Sequence, residues 1–250
     1  MKTIKIFSFF FLLMQLSGCS YIFELKKDGE IIKIELGKLE DSIIEIYAPC
    51  NIILHNNTNE NIKIEGVDFI VENYFLSKND SATIIDHKNI LHLNKNRVAD
   101  IYIPVNNLEF IVLNSSATVT SKDTLFFNEL QLVVNGKGIY STSDLIINSH
   151  KFHLNVYGDS NQSSHTFSGY AEFTRFNIHG ITIVDGSKLE TRRTLIAHKS
   201  VGNIHIKATE AINGSIYSIG NLFYTGNPEV NINNVKSYGM QATGKVINNN

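Results

Sequence analysis

From residue 31 onward the chain is written in short runs that alternate apolar and polar residues. IIKIEL, SIIEIY, NIILHN, NIKIEG, ILHLNK and DIYIPV are such runs, and polar turns such as NNTNEN and SKND separate them. Two-residue periodicity is the mark of a strand with one buried face. From residue 108 the runs acquire a second, longer period. LEFIVLN, LQLVVNG and FHLNVYG begin at Leu108, Leu130 and Phe152, so Leu108, Leu130 and Phe152 share a column. Phe110, Leu132, Leu154 and Phe176 form the next column, and Val112, Val134, Val156 and Ile178 a third. Asn114, Gly136, Gly158, Gly180 and Gly202 follow them at steps of 22 residues. Thr174, His198 and Ser200 break the apolar columns.

A fixed period with strand alternation inside it is the signature of a stacked coil. The LxxLxL and Asn pattern of a leucine-rich repeat is missing, and the apolar spacings of three and four that a helical repeat needs are missing too. The segments are rich in Val, Ile, Thr, Phe and Tyr, as strands are. The pattern therefore predicts an all-β chain: a β-solenoid, or parallel β-helix, with rungs of about 22 residues, preceded by less regular strands that pair antiparallel or form loose first rungs and a cap. Gly136, Gly158, Gly180 and Gly202 are expected at its corners, where Asn135-Gly136 and its equivalents supply residues that accept positive φ. Asn114 suits the same column for the same reason.

Composition agrees with a fold of many corners. Asn occurs 29 times among 250 residues and never before position 51. No stretch rich in Pro, Gly or Ser divides the chain, so residues 31–247 read as a single domain. The net charge of −2 offers no basic surface for nucleic acid.

The first residues carry a different signal. MKTIK is basic, IFSFFFLLMQL is apolar, and SGCS follows, which is the layout of a secretory leader. The apolar run falls short of the roughly 20 residues that span a bilayer. Leu16-Ser17-Gly18-Cys19 resembles a bacterial lipobox, which implies a signal peptide over 1–18, a diacylglycerol thioether on Cys19 and a tether over 19–30. An ordinary signal peptide that happens to end near a cysteine is the other reading. By resemblance to Gram-negative lipoproteins, Ser20 in place of Asp directs the protein to the outer membrane. The absence of an acidic cluster after it favours the periplasmic face over the cell surface. Cys50 is then left without an intramolecular partner and reads as a small buried hydrophobe.

Near the C-terminus, IYSIGNLFYTGNPEV resembles the closing motif of the bacterial family called the putative auto-transporter adhesin, head GIN domain. The matching residues are Ser218, Gly220, Asn221, Leu222, Tyr224, Gly226 and Pro228. NGKGIY, HGITI and SVGNI resemble its internal repeats, and the likeness runs over about residues 40 to 230. It departs at Lys137, Val201 and Ile219, where the family usually has Gly or Ser. The resemblance implies a β-helical fold, lipoprotein or secretion signals and a home chiefly in the Bacteroidota. It carries no catalytic residues onto this chain.

Residues suited to chemistry are few and scattered. Asp123, Asp144, Asp159 and Asp185 share no column, whereas sugar hydrolysis needs two carboxyls roughly 5–9.5 Å apart. His150 and His153 face opposite sides of a strand, so they and His198 and His205 read as surface histidines rather than metal ligands. Arg192-Arg193 reads as solvated surface, with an anionic glycan or lipid headgroup as a weaker reading. Tyr140, Tyr157, Tyr217 and Tyr224 would stack on sugars if exposed. Asp41-Ser42-Ile43, Asp80-Ser81-Ala82 and Asp123-Thr124-Leu125 resemble the O-glycosylation motif of periplasmic Bacteroidota proteins, with Ser81 in the most turn-like context. The expectation is thus an outer-membrane-anchored, non-catalytic binding or adhesion protein without cofactor or metal, its partners the membrane and a glycan or envelope protein. The alternative is a carbohydrate-active enzyme on a polysaccharide, which a groove with two carboxyls and a basic residue would favour.

Overall fold

A computed structural model describes residues 29–57, 61–88, 98–105, 107–236 and 241–250, joined into one 17-stranded sheet that coils on itself. Its repetitive part is built by β10 (Leu125–Val134), β11 (Thr142–Val156), β12 (Ser164–Gly180), β13 (Ile183–Ser200) and β14 (Ile204–Ile216). Each lies parallel on the next, with Leu132 over Leu154, Leu154 over Phe176 and Phe176 over Ile196. Backbone hydrogen bonds run between coils, so alternate side chains are free to point inward. Leu132, Leu154 and Phe176 are all but fully buried, and in the core Phe167 meets Phe152 edge-on at a centroid distance of 4.7 Å and stacks with Phe176 at 6.2 Å. The chain is thus the β-solenoid that the spacing predicts.

The solenoid has three faces. The first carries β2 (Ile43–Ile46), β6 (Thr83–His87), β8 (Phe110–Leu113), the last parts of β10 to β14, and β16 (Glu229–Asn234). The second carries β3 (Cys50–His55), β7 (Ala99–Pro104), β9 (Ala117–Ser121), segments of β11 to β14, β15 (Leu222–Thr225) and β17 (Val246–Asn248). The third runs from residues 125–127 through 147–149 and 169–171 to 189–191.

The first part of the chain departs from simple stacking. β2 and β3 form a coil that lies between two others: β6 and β7 cover one side, β8 and β9 the other. The second coil in sequence is therefore outermost. Beyond it antiparallel strands close the stack. β1 (Ile31–Gly37) pairs with β4 (Ile62–Val67), β4 with β7, and β5 (Tyr74–Lys78) with β6; the single-turn helix α1 (Asp68–Val71) joins β4 to β5. Both loose first rungs and an antiparallel cap are present. Cys50 is buried in this region, and burial pushes its thiol up to about 12, which makes it unreactive.

The period is not constant. The step is 22 from β10 to β11 and from β11 to β12, but Gly180 pairs with Ser200, a step of 20, and His198 with Ile216, a step of 18. Gly202 therefore does not continue the column of Gly158 and Gly180. It packs over Thr182, where a Cβ would fall 2.2 Å from the carbonyl oxygen. The step from β8 to β10 is 21, with Ile111 beside Leu132 and Leu113 beside Val134. A one-residue slip exchanges inside for outside. Ile111 and Leu113 are accordingly the core residues, while Phe110 and Val112, expected inside, face outward and are half-buried. Asn114 aligns with Asn135, whose amide donates to its side-chain oxygen at 2.7 Å.

Candidate functional site

The corners decide what this solenoid shows to solvent. At the corner from the first to the second face, successive coils meet backbone to backbone. A Cβ on Gly220 would lie 2.1 Å from the Gly202 carbonyl oxygen, and one on Gly244 2.1 Å from that of Gly220. Only small residues fit in such a column. The residue before each small one is pushed outward, and Ile181, Val201 and Ile219 stand 47, 44 and 62% exposed. Tyr47, Tyr140 and Tyr157 extend the same edge toward the capped end, and all three are exposed. Tyr140 is held at φ 64°, where a bulky side chain is an outlier. Ile181, Val201 and Ile219 thus form an apolar ridge over three successive coils, and the exposed tyrosines lie among polar residues on the coils before them, Tyr157 beside His179 at 5.9 Å.

Beneath the ridge the core turns polar, because tight turns aim carbonyls inward and buried carbonyls need donors. The Ser200 hydroxyl lies 3.0 Å from the Gly180 oxygen and 2.8 Å from that of Thr182; Ser163 and Thr182 hydroxyls are 3.0 Å apart. His165 meets the Ser143 hydroxyl at 2.8 Å. His165 and His198 are almost wholly enclosed, and loss of water lowers their pKa values to about 3 and about 4. His198, expected at the surface, is thus a neutral core residue. Its ring fits because its neighbour across the coil is Gly220.

The corner from the third face to the first is charged. Lys151 contacts Glu129 at 3.2 Å, His150 meets Glu172 at 2.7 Å, Arg192 bridges Glu172 and Glu210, and Arg193 reaches Glu210 at 3.0 Å. The hydrogen bond to Glu210 raises Arg192 and that from Arg192 lowers Glu210. Arg192-Arg193 is therefore surface, as expected, but neutralised by its neighbours. Toward the capped end this corner opens into a cleft of about 470 Å³, lined by Glu109, Phe110, Phe127, Asn128, Glu129 and Gln131 among others.

The remaining predicted residues scatter. Gly136, Gly158 and Gly180 lie at the ends of successive first-face strands; Gly158 and Gly180 have φ of 102° and 72°, whereas neither Asn135 nor Gly136 is in the positive-φ region expected for them. Ser81 is exposed, with its amide bonded to Asn79, while Ser42 and Thr124 are half-buried. Ser218, Gly220, Tyr224, Gly226 and Pro228 build the last coils: Gly226 turns at φ 96° over the Ala208 carbonyl, and Pro228 leads into β16. Tyr217 and Tyr224 are half-buried. His153 packs edge-on to Phe173 and His205 stacks on Phe223 at 4.6 Å. Among the described residues no group of His, Cys, Asp and Glu is arranged to hold a metal, and no helix is long and apolar enough to cross a membrane. Cys19, the signal segment 1–18 and nearly all of the tether lie outside the described residues.

Sequence reading missed the ridge and the cleft. The ridge had a signal, an apolar residue before each of Thr182, Gly202 and Gly220. The cleft had none, because it depends on the slip at β8.

These features define a capped parallel β-solenoid whose corners, rather than a buried pocket, carry its exposed chemistry. The family described as putative auto-transporter adhesin, head GIN domain, matches residues 42–228, and the chain belongs to it. A putative adhesin from Bacteroides fragilis has a similar structure, with a TM-score of 0.71 at 18% identity over 88% of this chain and 97% of that one. A putative lipid binding protein from Parabacteroides distasonis gives 0.62 at 13% over 89% and 98%. A putative adhesin from Parabacteroides merdae gives 0.61 at 14% over the same shares. Among curated proteins no match was found.

Proposed function

We propose that this protein is a non-catalytic binding lipoprotein of the cell envelope, anchored through acyl chains on Cys19 at the periplasmic face of the outer membrane. In this reading its apolar corner lies against a glycan or protein of the envelope. The ridge of Tyr140, Tyr157, Ile181, Val201 and Ile219 carries the reading. Exposed apolar side chains aligned over three coils, with exposed tyrosines at the same corner of earlier coils, mark an interaction surface. Membership of an adhesin family supports it, and the names given to the structural relatives, adhesin and lipid binding protein, point the same way.

Two measurements test it. Cys19→Ala with Ile181, Val201 and Ile219 also replaced by Ser, so that the ridge cannot hold it, is expected to leave the membrane fraction on extraction with aqueous buffer, since buried acyl chains supply about 0.8 kcal/mol per CH₂; retention of that variant refutes the anchor. Cys19→Ala alone is then added back to washed envelopes. Co-sedimentation that disappears when Ile181, Val201 and Ile219 are replaced by Ser supports the ridge, and co-sedimentation indifferent to those changes refutes it.

A carbohydrate-active enzyme is the second reading, and the cleft is the observation behind it: Glu109, Glu129 and the adjoining Lys151 are two carboxyls and a cationic residue. Release of reducing ends from a polysaccharide, lost in both Glu109→Gln and Glu129→Gln, would establish it.

A further inference from the structure

We propose that the cleft at the capped end of the charged corner binds a neutral saccharide. The proposal rests on the reading of the protein as a binder and adds a second site, apart from the ridge. At about 470 Å³ the cleft falls within the roughly 300–1,000 Å³ of small-molecule sites. Its walls are of two kinds. Phe110 and Phe127 are half-buried rings on neighbouring coils, Phe127 with one side against Phe152 of the core and Phe110 turned outward. Phe110 faces outward only because the coil above it steps by 21 residues instead of 22. Around the rings stand Glu109, Glu129, Asn128 and Gln131.

A pyranose ring has the matching surface. Its C–H face packs on an aromatic ring, as apolar groups do on a π-face. Its rim of hydroxyls needs planar acceptors and amides. The polar groups here are held loosely by the protein itself. The Ser42 hydroxyl is 3.4 Å from Glu109, the Gln131 amide 3.5 Å from Glu129, and the Asn155 amide 3.5 Å from Gln131. Those distances lie at or beyond the outer limit of useful hydrogen bonds, so a ligand hydroxyl can replace them with gain. Charge selects among sugars. Two carboxylates face one cation, Lys151 on Glu129 at 3.2 Å, so the cleft is net negative and repels uronates and sulfated sugars. Farther along the same corner His150, Arg192 and Arg193 are taken up by Glu172 and Glu210, so they do not offset that charge.

The test uses the protein purified in detergent from its own envelope, on an array of neutral, uronate-bearing and sulfated oligosaccharides, with calorimetric titration of whatever binds. The expected result is binding confined to neutral oligosaccharides and weakened about tenfold or more in Glu109→Gln and in Glu129→Gln, since a site built to pair hydroxyls discriminates strongly. Both variants keep side-chain shape, and an unchanged thermal midpoint verifies that they fold. Ridge variants Tyr157→Ser and Ile219→Ser are titrated in parallel, to tell a cleft site from a glycan held on the ridge. Binding unaffected by either Gln variant, preference for anionic glycans, or no binding across the array overturns the proposal. Sugar binding lost in the ridge variants alone also overturns it, yet leaves the envelope-binding reading intact; failure of that reading shows instead in the co-sedimentation experiment.

Discussion

His165 and His198 show how single residues set the conditions under which the fold holds. Both are neutral in the folded protein, lowered by burial to about 3 and about 4 from an ordinary 6.5. Below pH 6.5 the unfolded chain takes up protons that the folded chain refuses, so stability falls as pH drops toward those values and is level above 6.5. Urea midpoints measured from pH 8 to 4 should show this decline, and His198→Gln should flatten part of it; parallel curves for variant and parent refute the assignment. The corner glycines are equally separable. Gly136 has ordinary φ and would bring its Cβ against nothing within 4 Å, whereas Gly180 sits at φ 72° with the Asn161 oxygen 2.5 Å from a Cβ. Gly180→Val should lose at least about 2 kcal/mol and Gly136→Val about 0.5 or less, as read by urea titration. In the sequence these glycines look alike, because spacing reveals a corner and not its backbone angles. Ser81 is legible for the opposite reason: its turn-like neighbours do place it in solvent. If a glycan occupies it, intact mass of envelope-derived protein will exceed that of the lipidated chain, and Ser81→Ala will remove the excess.

At the scale of strands, the middle of the solenoid was readable because β10, β11 and β12 keep both periods at once. Leu154, fully buried between Leu132 and Phe176, is a fair gauge of that core. Leu154→Ala should destabilise by about 2–5 kcal/mol, and a loss under about 1 kcal/mol in chemical denaturation would mean the coils are loosely packed. Thr174, which broke its column on paper, keeps its place by bonding Thr194 at 2.9 Å, which in turn bonds Thr191 at 2.8 Å. What could not be read were the steps of 21, 20 and 18. A corner gains or drops residues without any change in the alternation on either side, so the slip at Phe110 and the shortening after Gly180 leave no trace in the pattern. The nesting of β2 and β3 was hidden too, since it is set by pairings such as Ile44 with Ile111, far apart in the chain.

For the molecule as a whole, the charged corner is ornament to stability rather than its source. Exposed ion pairs contribute little and are screened by salt. Raising sodium chloride from about 0.05 to about 1 M should leave the denaturation midpoint nearly unchanged, and a steep loss would show that the Glu172–Arg192–Glu210 chain holds the coils together. Stability comes instead from stacking, which usually lets a repeat protein be pruned one unit at a time from either end. Here the nested first coil removes that symmetry. Trimming from the carboxyl side takes β17, then β16 and β15, each an outer layer whose loss bares one fresh surface. Trimming from the amino side reaches β2 and β3 while β6 and β7 still rest on them, so the cut empties the middle of a stack and strands its outer coil. Such a protein can be shortened, or evolve by adding and shedding coils, in one direction only.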